Sequence, residues 1–428
     1  MSHWNVLVVG NGSREHTICW KLRQSPSVDR LYCAPGNGGT PDVAENVPIA
    51  ATQVDAIADW ASANRIDLVL IGPEDPLALG LADRLRSRGI PVLGPNADAA
   101  RLESSKSWAK ALMREAGVPT AAYATFTDAG NAWEHARTQR FPLVLKADGL
   151  AAGKGVIIAQ NPDEAREAIA ATLEAGAFGT AGRTLVIEEF LDGEELSLIA
   201  FVDGPRVAPL ALSRDHKRVG DGDTGPNTGG MGAIAPSRLG DQPGVEQLCA
   251  RIINPVAAAL VARGLSYQGV IFANVMLTGA GPSVLEFNSR FGDPETQVIL
   301  PLLDGDLAAL AYATATGELR DGRLPVLPGY RCGIVLASGG YPGAFRTGLP
   351  IRGIDRVDRQ TLVFHAGTRR ADGDLLTAGG RVVTVVGQGD TLRAARAHAY
   401  LNAEQVHFDG VYYRRDIGAR EDTVENGR

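Results

Sequence analysis

The chain has 428 residues, 45% of them hydrophobic, with 42 Lys and Arg against 49 Asp and Glu and a formal net charge of -7. At roughly 150 residues per domain, this length implies about three domains rather than one core. The acidic balance and the lack of a long basic run disfavour a nucleic-acid binder, which needs clustered Lys and Arg to neutralise phosphates, and leave room for a local basic pocket for a small anion.

Cys19, Cys33, Cys249 and Cys332 form no CxxC pair and lie far apart in sequence. That argues against zinc and disulfide frameworks and fits a reducing, cytoplasmic setting. The N-terminal MSHWNVLVVGNG turns glycine-rich too soon for a signal peptide. No apolar run reaches the roughly 18 residues of a membrane helix, so no membrane partner is expected. The 51 glycines cluster in short runs between apolar segments and predict tight turns and close backbone–ligand approaches.

In chain order, Asn5–Val9, Leu31–Ala34, Leu68–Gly72 and Pro91–Leu93 read as short buried strands with helix-compatible segments between them. This pattern predicts an open parallel sheet with crossover helices. Ligands bind such sheets at the carboxyl ends of the strands. Those ends carry GNGSREH, APGNGGT, GPEDPL and GPN. Arg101–Gly117 then reads as one helix ending at a glycine. Phe141–Ala147 and Val156–Ala159 read as strands around a glycine-rich turn at Gly149–Gly155, followed by a helix from about Pro162 and a strand at Thr184–Glu188. Ser213–Gly232 shows no strong helix or strand signal and reads as a long, functional loop. Two strands from Val270 flank a turn at Gly279–Pro282 and end in EFNSRFGDPETQ. After about Gly329 come strands at Cys332–Ala337, Leu362–His365 and Gly380–Val386 and a helix at Thr391–Asn402.

Four motifs carry candidate chemistry. Gly10-Asn11-Gly12-Ser13-Arg14-Glu15 begins like a dinucleotide fingerprint, but Glu15 occupies its third glycine position and no acidic residue ends the second strand. A nicotinamide site is thereby disfavoured. The loop either cradles a phosphate at a helix N-terminus, with Arg14 as a charged fork, or is a plain strand–helix turn. Gly149–Gly155 departs from a Walker A loop in spacing, and Gly155 stands where Ser or Thr would hold magnesium. It reads instead as a hairpin lid carrying Lys154, with Lys146 at the end of the preceding strand, or as a plain hairpin with exposed lysines. VIEEFLDGEE (186–195) runs an apolar strand into acids; backbone along Glu189–Leu191 suits an adenine edge and Glu195 suits ribose hydroxyls. Glu286 and Asn288 stand two apart at a strand end, so their side chains share a face. Their oxygens suit Mg²⁺ bound together with nucleotide phosphates. Arg290 shares that face if the strand continues, and could clamp a transferring phosphoryl group.

A lysine-bearing strand, a glycine lid, an acidic hinge and an ExN pair, in that order, resemble the ATP-grasp superfamily. GNGSREH (10–16), APGNGGT (34–40), GPEDPL (72–77), LESSKSWAK (102–110), KADGLAAGKGV (146–156), HKRVGDGDTGPNTGGMGA (216–233), EFNSRFGDPETQ (286–297), SGGYPG (338–343) and VFHAGT (363–368) narrow it further. Together they are similar to the phosphoribosylamine–glycine ligases over roughly residues 5–418.

The resemblance implies an α/β chain: an N-terminal open parallel-sheet domain (1–103), a central ATP-grasp domain (104–328, lid about 122–194) and a small C-terminal α+β domain (329–428). It implies ligation of glycine to 5-phosphoribosylamine by ATP through glycyl phosphate, with Mg²⁺ or Mn²⁺, in a monomer or weak homo-oligomer. By resemblance, Lys106, Lys146 and the Gly153–Lys154 lid hold phosphates; Glu188, Glu189, Phe190, Leu191 and Glu195 hold adenosine; Glu286 and Asn288 hold the metal. Arg290 stabilises the acyl-phosphate transition, and Asp293, Asp215 and Lys217 line the glycine region. Asn11, Gly12, Arg14, Gly36, Pro73 and Glu74 meet the phosphoribosyl group.

Ser13, Ser104 and Asn274 stand where the family usually has glycine. Asn274 either reaches the metal or a phosphate, or is a packing substitution. The nearest rival is another ATP-grasp ligase. A catalytically dead nucleotide-binding regulator would be expected to lack Lys146, Glu286, Asn288 or Arg290, and all four are present.

Overall fold

A computed structural model describes residues 3–150, 155–240 and 244–425. Strands β1 (Trp4–Gly10), β2 (Val28–Pro35), β3 (Glu45–Asn46), β4 (Leu68–Ile71) and β5 (Val92–Leu93) form a parallel sheet in the order β3-β2-β1-β4-β5. The four apolar runs read as strands all lie in it. They are continuous rather than alternating because both faces are covered. Leu7 and Val9 pack with Ile57, Ala58 and Ala61 of the helix Val54–Ala63. Val6 and Val8 share a second core with Ile18 and Leu22 of the helix Ser13–Leu22 and with Phe201 and Phe272 of the central unit. The strand order reverses between β1 and β4, and such a switch point opens a crevice at the carboxyl ends.

The expected helix Arg101–Gly117 is instead two helices, Arg101–Ser104 and Lys106–Glu115. Ser105 is extended (φ -140°, ψ 108°), and its hydroxyl accepts from the Trp108 N–H at 3.2 Å, an N-cap that restarts the helix. The expected stop at glycine holds, with Gly117 left-handed at φ +66°.

Next comes an antiparallel sheet of β6 (Tyr123–Phe126), β7 (Leu143–Ala147), β8 (Val156–Ala159) and β9 (Leu185–Glu189), ordered β6-β9-β7-β8. The glycine-rich segment expected as a turn lies between β7 and β8 in sequence, and its residues 151–154, Gly153 and Lys154 among them, lie outside the described residues. Strands β10 (Glu194–Asp203) and β11 (Arg206–Pro209) begin the central sheet.

The segment expected as a loop carries β12 (Arg214–Asp215), β13 (Arg218–Gly220), β14 (Thr224–Asn227) and the start of β15 (Gly232–Ala235). Its β13–β14 hairpin is held from the C-terminal part of the chain. Buried Arg414 reaches the Arg218 carbonyl at 3.0 Å and Asp223 at 2.8 Å, and Tyr412 donates to the Val219 carbonyl at 2.8 Å.

Strands β16 (Gln268–Thr278) and β17 (Gly281–Asn288) complete the sheet β11-β10-β16-β17. The C-terminal part supplies β18 (Tyr330–Ala337), β19 (Leu362–His365), the pair β20 (Thr368–Ala371) and β21 (Asp374–Thr377), and β22 (Arg381–Gly389). A five-stranded sheet ordered β12-β15-β18-β22-β19 ties residues 214–235 into this unit.

Among the described residues, one charge-interrupted stretch reaches the roughly 18 residues that no apolar run was expected to reach. Val245–Ala262 is 18 residues long and, despite Glu246 and Arg251, apolar enough by length and composition to cross a membrane. Here it bends at Ile252 into two helices, and Leu248, Ile252, Ile253 and Val256 are buried in a core shared with β10 and β16.

Candidate active site

A cavity of about 570 Å³ lies where the N-terminal sheet, the central sheets and β22 meet. Its walls include Arg14, Pro73 and Glu74, the lysines 106 and 146, residues 188–191, Glu195, Asp215 and Lys217, and residues 286, 288, 290 and 293. Thus most of the residues singled out above converge on one space. Asn11, Gly12 and Gly36 are not among its lining residues.

Lys146 is the penultimate residue of β7, and its Nζ lies 3.1 Å from Glu188 Oε2 while donating to the Leu285 carbonyl at 3.0 Å. Lys110 lies 2.9 Å from the same Glu188 oxygen and donates to Thr120 Oγ1 at 2.7 Å. The Glu188 carboxylate, expected to hold adenosine, is therefore committed to two lysines. Burial pulls the Lys110 ammonium down to about 8, with Glu188 opposing and Lys146 adding to the fall. Sequence reasoning missed Lys110. Its spacing of four from Lys106 puts both on one helix face, and that signal was available. Lys106 donates to the Gly149 carbonyl at 3.1 Å, and burial, the largest influence, lowers its ammonium's pKa. At the cavity mouth, Glu189 accepts from the Ala122 N–H at 2.8 Å and Phe190 is 42% exposed.

Glu195, expected at ribose hydroxyls, is held by Lys217 at 2.5 Å and by the Asn274 amide at 3.3 Å. Burial raises the Glu195 carboxyl, but Lys217 and Asn274 outweigh it and the net shift is downward. Lys217 moves upward: burial lowers it, and Glu195, Asp215 and Glu286 outweigh burial. Asn274 is buried, lines the cavity and stands opposite Glu286 across β16 and β17.

Glu286 and Asn288 end β17 and line the cavity. Neither side chain makes a hydrogen bond among the described residues. The strand stops at Asn288, so Arg290 does not share its face by strand geometry as expected. Arg290 instead donates to Glu74 Oε2 at 3.1 Å, meets Glu103 Oε1 at 3.0 Å and reaches the Phe291 carbonyl at 3.1 Å. Arg290 holds the Glu74 carboxyl down at about 2 against its burial. Burial pushes Glu103 up to about 7 despite Arg290. Glu103, which also accepts from the Ser289 N–H at 2.8 Å, was not anticipated.

The first glycine loop is built around Glu15. Its Oε2 accepts from the Gly12 N–H at 2.6 Å, and its Oε1 accepts from Arg14 Nε at 2.5 Å. The Gly12 N–H expected to meet a phosphate is therefore already capped. A Cβ at Gly72 would sit 2.0 Å from Glu15 Oε1 and one at Gly10 2.4 Å from Glu15 Cγ, so the glycines make room for this glutamate. The Asn11 carbonyl accepts from the Asn37 amide at 3.0 Å, and the Gly36 N–H donates to the Gly10 carbonyl at 3.1 Å. Ser13, one of the three departures, donates to the Phe364 carbonyl of β19 at 3.0 Å.

Asp293 accepts from the Gln297 amide at 2.7 Å and lies 3.3 Å from Arg381 Nη1. Burial raises Asp293, and Arg381 and Arg14 reverse that into a net lowering. Burial and the Glu295 carboxylate push Asp215 well up. Glu295 and Arg381 also line the cavity and were not foreseen.

Three descriptions of one family match the chain in register: phosphoribosylglycinamide synthetase N domain at 4–103, its ATP-grasp (A) domain at 104–296 and its C domain at 331–420. A phosphoribosylamine–glycine ligase of Halalkalibacterium halodurans is 46% identical over 419 residues, covering 97% of each chain. One from Synechocystis sp. is 48% identical over 418 residues, covering 96% of this chain and 99% of the other. The crystal structure of phosphoribosylamine–glycine ligase from Thermotoga maritima superposes with a TM-score of 0.85 at 33% identity, covering 96% of this chain and all (100%) of that one. Biotin carboxylase from Campylobacter jejuni superposes at a TM-score of 0.72 and 15% identity, covering 96% of this chain and 93% of that one, a likeness of fold alone. With all three domain signatures matched in order and relatives above 45% identity along nearly its whole length, the chain belongs to the phosphoribosylglycinamide synthetase family.

Proposed function

We propose that the chain uses ATP to join glycine to 5-phosphoribosylamine, giving glycinamide ribonucleotide, ADP and phosphate. The observation that carries this reading is one cavity lined by lysines, an uncommitted Glu–Asn pair and arginines from separate units, in a chain of this family. A glycine carboxylate oxygen attacks the γ-phosphorus, and ADP leaves with the electrons of the broken P–O bond. The amine nitrogen then attacks the glycyl phosphate carbonyl; phosphate leaves and the nitrogen gives up a proton. No enzyme nucleophile is required, so rate comes from positioning and charge.

Lys106 and Lys146 face the α- and β-phosphates, and by resemblance Lys154 covers them. The backbone at 189–191 pairs with adenine and the exposed Phe190 flanks it. Glu188 and Glu195 act mainly by fixing lysines. Arg290 faces the transferring phosphoryl, while Asp215, Lys217 and Asp293 border glycine. Arg14, Pro73 and Glu74 border the phosphoribosyl group, with Asn11, Gly12 and Gly36 shaping the loop behind them.

The donor set fits a divalent cation, Mg²⁺ or Mn²⁺: one carboxylate and one amide oxygen at a strand end, neither bonded among the described residues. Glu286 and Asn288 would hold it, and bound there it would neutralise phosphate oxygens. The test is phosphate release from ATP with glycine and phosphoribosylamine omitted in turn. Release that needs neither substrate overturns the reading.

A further inference from the structure

Among its described residues, the C-terminal unit reaches the cavity through Arg381, the first residue of β22. Its Nη1 donates to the Gly229 carbonyl at 2.7 Å and the Asp293 carbonyl at 2.9 Å, and lies 3.3 Å from Asp293 Oδ1. Tyr341 holds the other side of the same turn, accepting from the Gly229 N–H at 3.1 Å without lining the cavity. The turn has little room to move. A Cβ on Gly229 would stand 3.0 Å from the guanidinium carbon of Arg381. Gly230 has φ +114°, and a Cβ there would meet Pro294 at 2.3 Å and Asp215 Oδ1 at 2.7 Å.

We propose that Arg381 is a positioning residue for the amino-acid end of the cavity, acting through the Gly229–Gly230 turn and Asp293. Resting on the function proposed above, this makes the C-terminal unit a determinant of which amino acid is accepted. The turn is wedged against Asp215 and Pro294, so a shift of the turn moves the wall that confines the carboxylate substrate. One guanidinium joins the 228–232 segment to the 286–297 segment, groups about sixty residues apart in sequence and joined here from a third element. Arginine's fixed fork suits this better than lysine's point charge.

The experiment compares steady-state kinetics of the full-length wild type, Arg381→Ala, Arg381→Lys and Tyr341→Phe. Arg381→Ala should raise the glycine KM roughly tenfold or more, since small misplacements of a positioned substrate are costly, and leave the ATP KM within about twofold. Its preference for glycine over alanine should fall. Arg381→Lys should recover part of the loss. Tyr341→Phe, which keeps the ring and removes only the hydroxyl that accepts from the Gly229 N–H, should move the glycine KM in the same direction by less. An unchanged glycine KM in Arg381→Ala overturns the proposal. So does an unaffected Tyr341→Phe, since that makes any Arg381 effect a direct contact. If Arg381→Ala does not fold, Arg381→Lys and Tyr341→Phe carry the same test. A wild type that shows no glycine-dependent phosphate release sinks the proposed function itself, whereas active wild type with indifferent variants sinks only the positioning role.

Discussion

Lys110 and Glu188 lie 2.9 Å apart with only 2% of each side chain exposed, and Lys146 meets the same Glu188 oxygen at 3.1 Å. Two cations share one carboxylate in the wall of the cavity. Such an arrangement is stable only as a unit, because a buried charge left unpaired costs far more than an exposed pair contributes. Glu188 is thereby a structural anchor for the lysine proposed to face ATP.

Lys110→Met leaves Glu188 paired with Lys146 and strands no charge, so it is expected to destabilise the fold by only about 1 kcal/mol, the scale of one lost hydrogen bond. Lys146 retains its partner, so the ATP KM should rise only modestly. Glu188→Leu leaves two buried ammonium groups with no carboxylate between them and should be the worse variant for ATP binding. Urea unfolding midpoints and ATP KM values for the two variants decide this; equal effects of both on ATP binding would count against the anchoring role.

The Glu286→Gln, Asn288→Ala double variant should keep its unfolding temperature and lose turnover. Neither side chain bonds another described residue, and both end a strand beside a cavity, so their loss creates no packing defect. Surface-like substitutions of this kind change stability by within about 0.5 kcal/mol. Thermal unfolding together with phosphate release at saturating magnesium tests the pair. Activity equal to wild type rules out the metal assignment.

How much of this was legible depends on whether a signal was local. The parallel strands of the N-terminal sheet announce themselves because Val6 to Val9 are apolar on both faces. The Glu286–Asn288 pair is legible because period two is a property of the strand itself. The break at Ser105 is not, since the helical pattern resumes one residue later and only the hydroxyl cap marks it. The strands within 214–227 carry no alternation because the β13–β14 hairpin is largely exposed, and what fixes it is Arg414 in a distant segment. The roles of Glu103 and Arg381 arise from partners brought close by the fold, and no spacing rule joins residue 381 to residue 293.

Stability should also respond to pH through the seam between the N- and C-terminal units. His16 Nδ1 accepts from the His365 backbone N–H at 2.9 Å, and the two rings lie 5.5 Å apart. Burial pulls His16 from 6.5 down to about 3, with His365 adding to the fall, and burial pulls His365 down to about 4. Both are depressed bases, so the unfolded chain binds more protons between these values and 6.5. Their contribution is complete above pH 6.5 and is lost as pH falls below it. At pH 5 each group alone corresponds to about 2 kcal/mol of lost stability, and the two are not independent. Glu103, a carboxyl pushed up to about 7, works in the opposite sense, its penalty being relieved on acidification. The contribution is isolated by comparing wild type with His16→Asn at pH 7 and pH 5. The wild type should lose more on acidification; identical losses refute the histidine assignment.

The Arg290 guanidinium bridges Glu74 of the N-terminal unit and Glu103 of the helix Arg101–Ser104. If it also faces the transferring phosphoryl group, its charge matters most as the acyl phosphate forms. Removing one preorganised charge stabiliser costs about 3 kcal/mol, or roughly a hundredfold in rate. Arg290→Ala should therefore lose turnover mainly in kcat with the ATP KM little changed. It also removes the main cation between Glu74 and Glu103, leaving Arg14 as a weaker one nearby. Glu103, already raised by burial, should then hold a proton to higher pH, and the pH dependence of stability should shift accordingly. Arg290→Lys should restore part of the rate but not the double bridge, because one ammonium cannot meet both carboxylates with a fork's geometry. Full kinetics of both variants, with thermal unfolding between pH 6 and 8, separate the two roles. A raised ATP KM with kcat intact would make Arg290 a nucleotide anchor. Lost stability with unchanged kinetics would make it a bridge between units and nothing more.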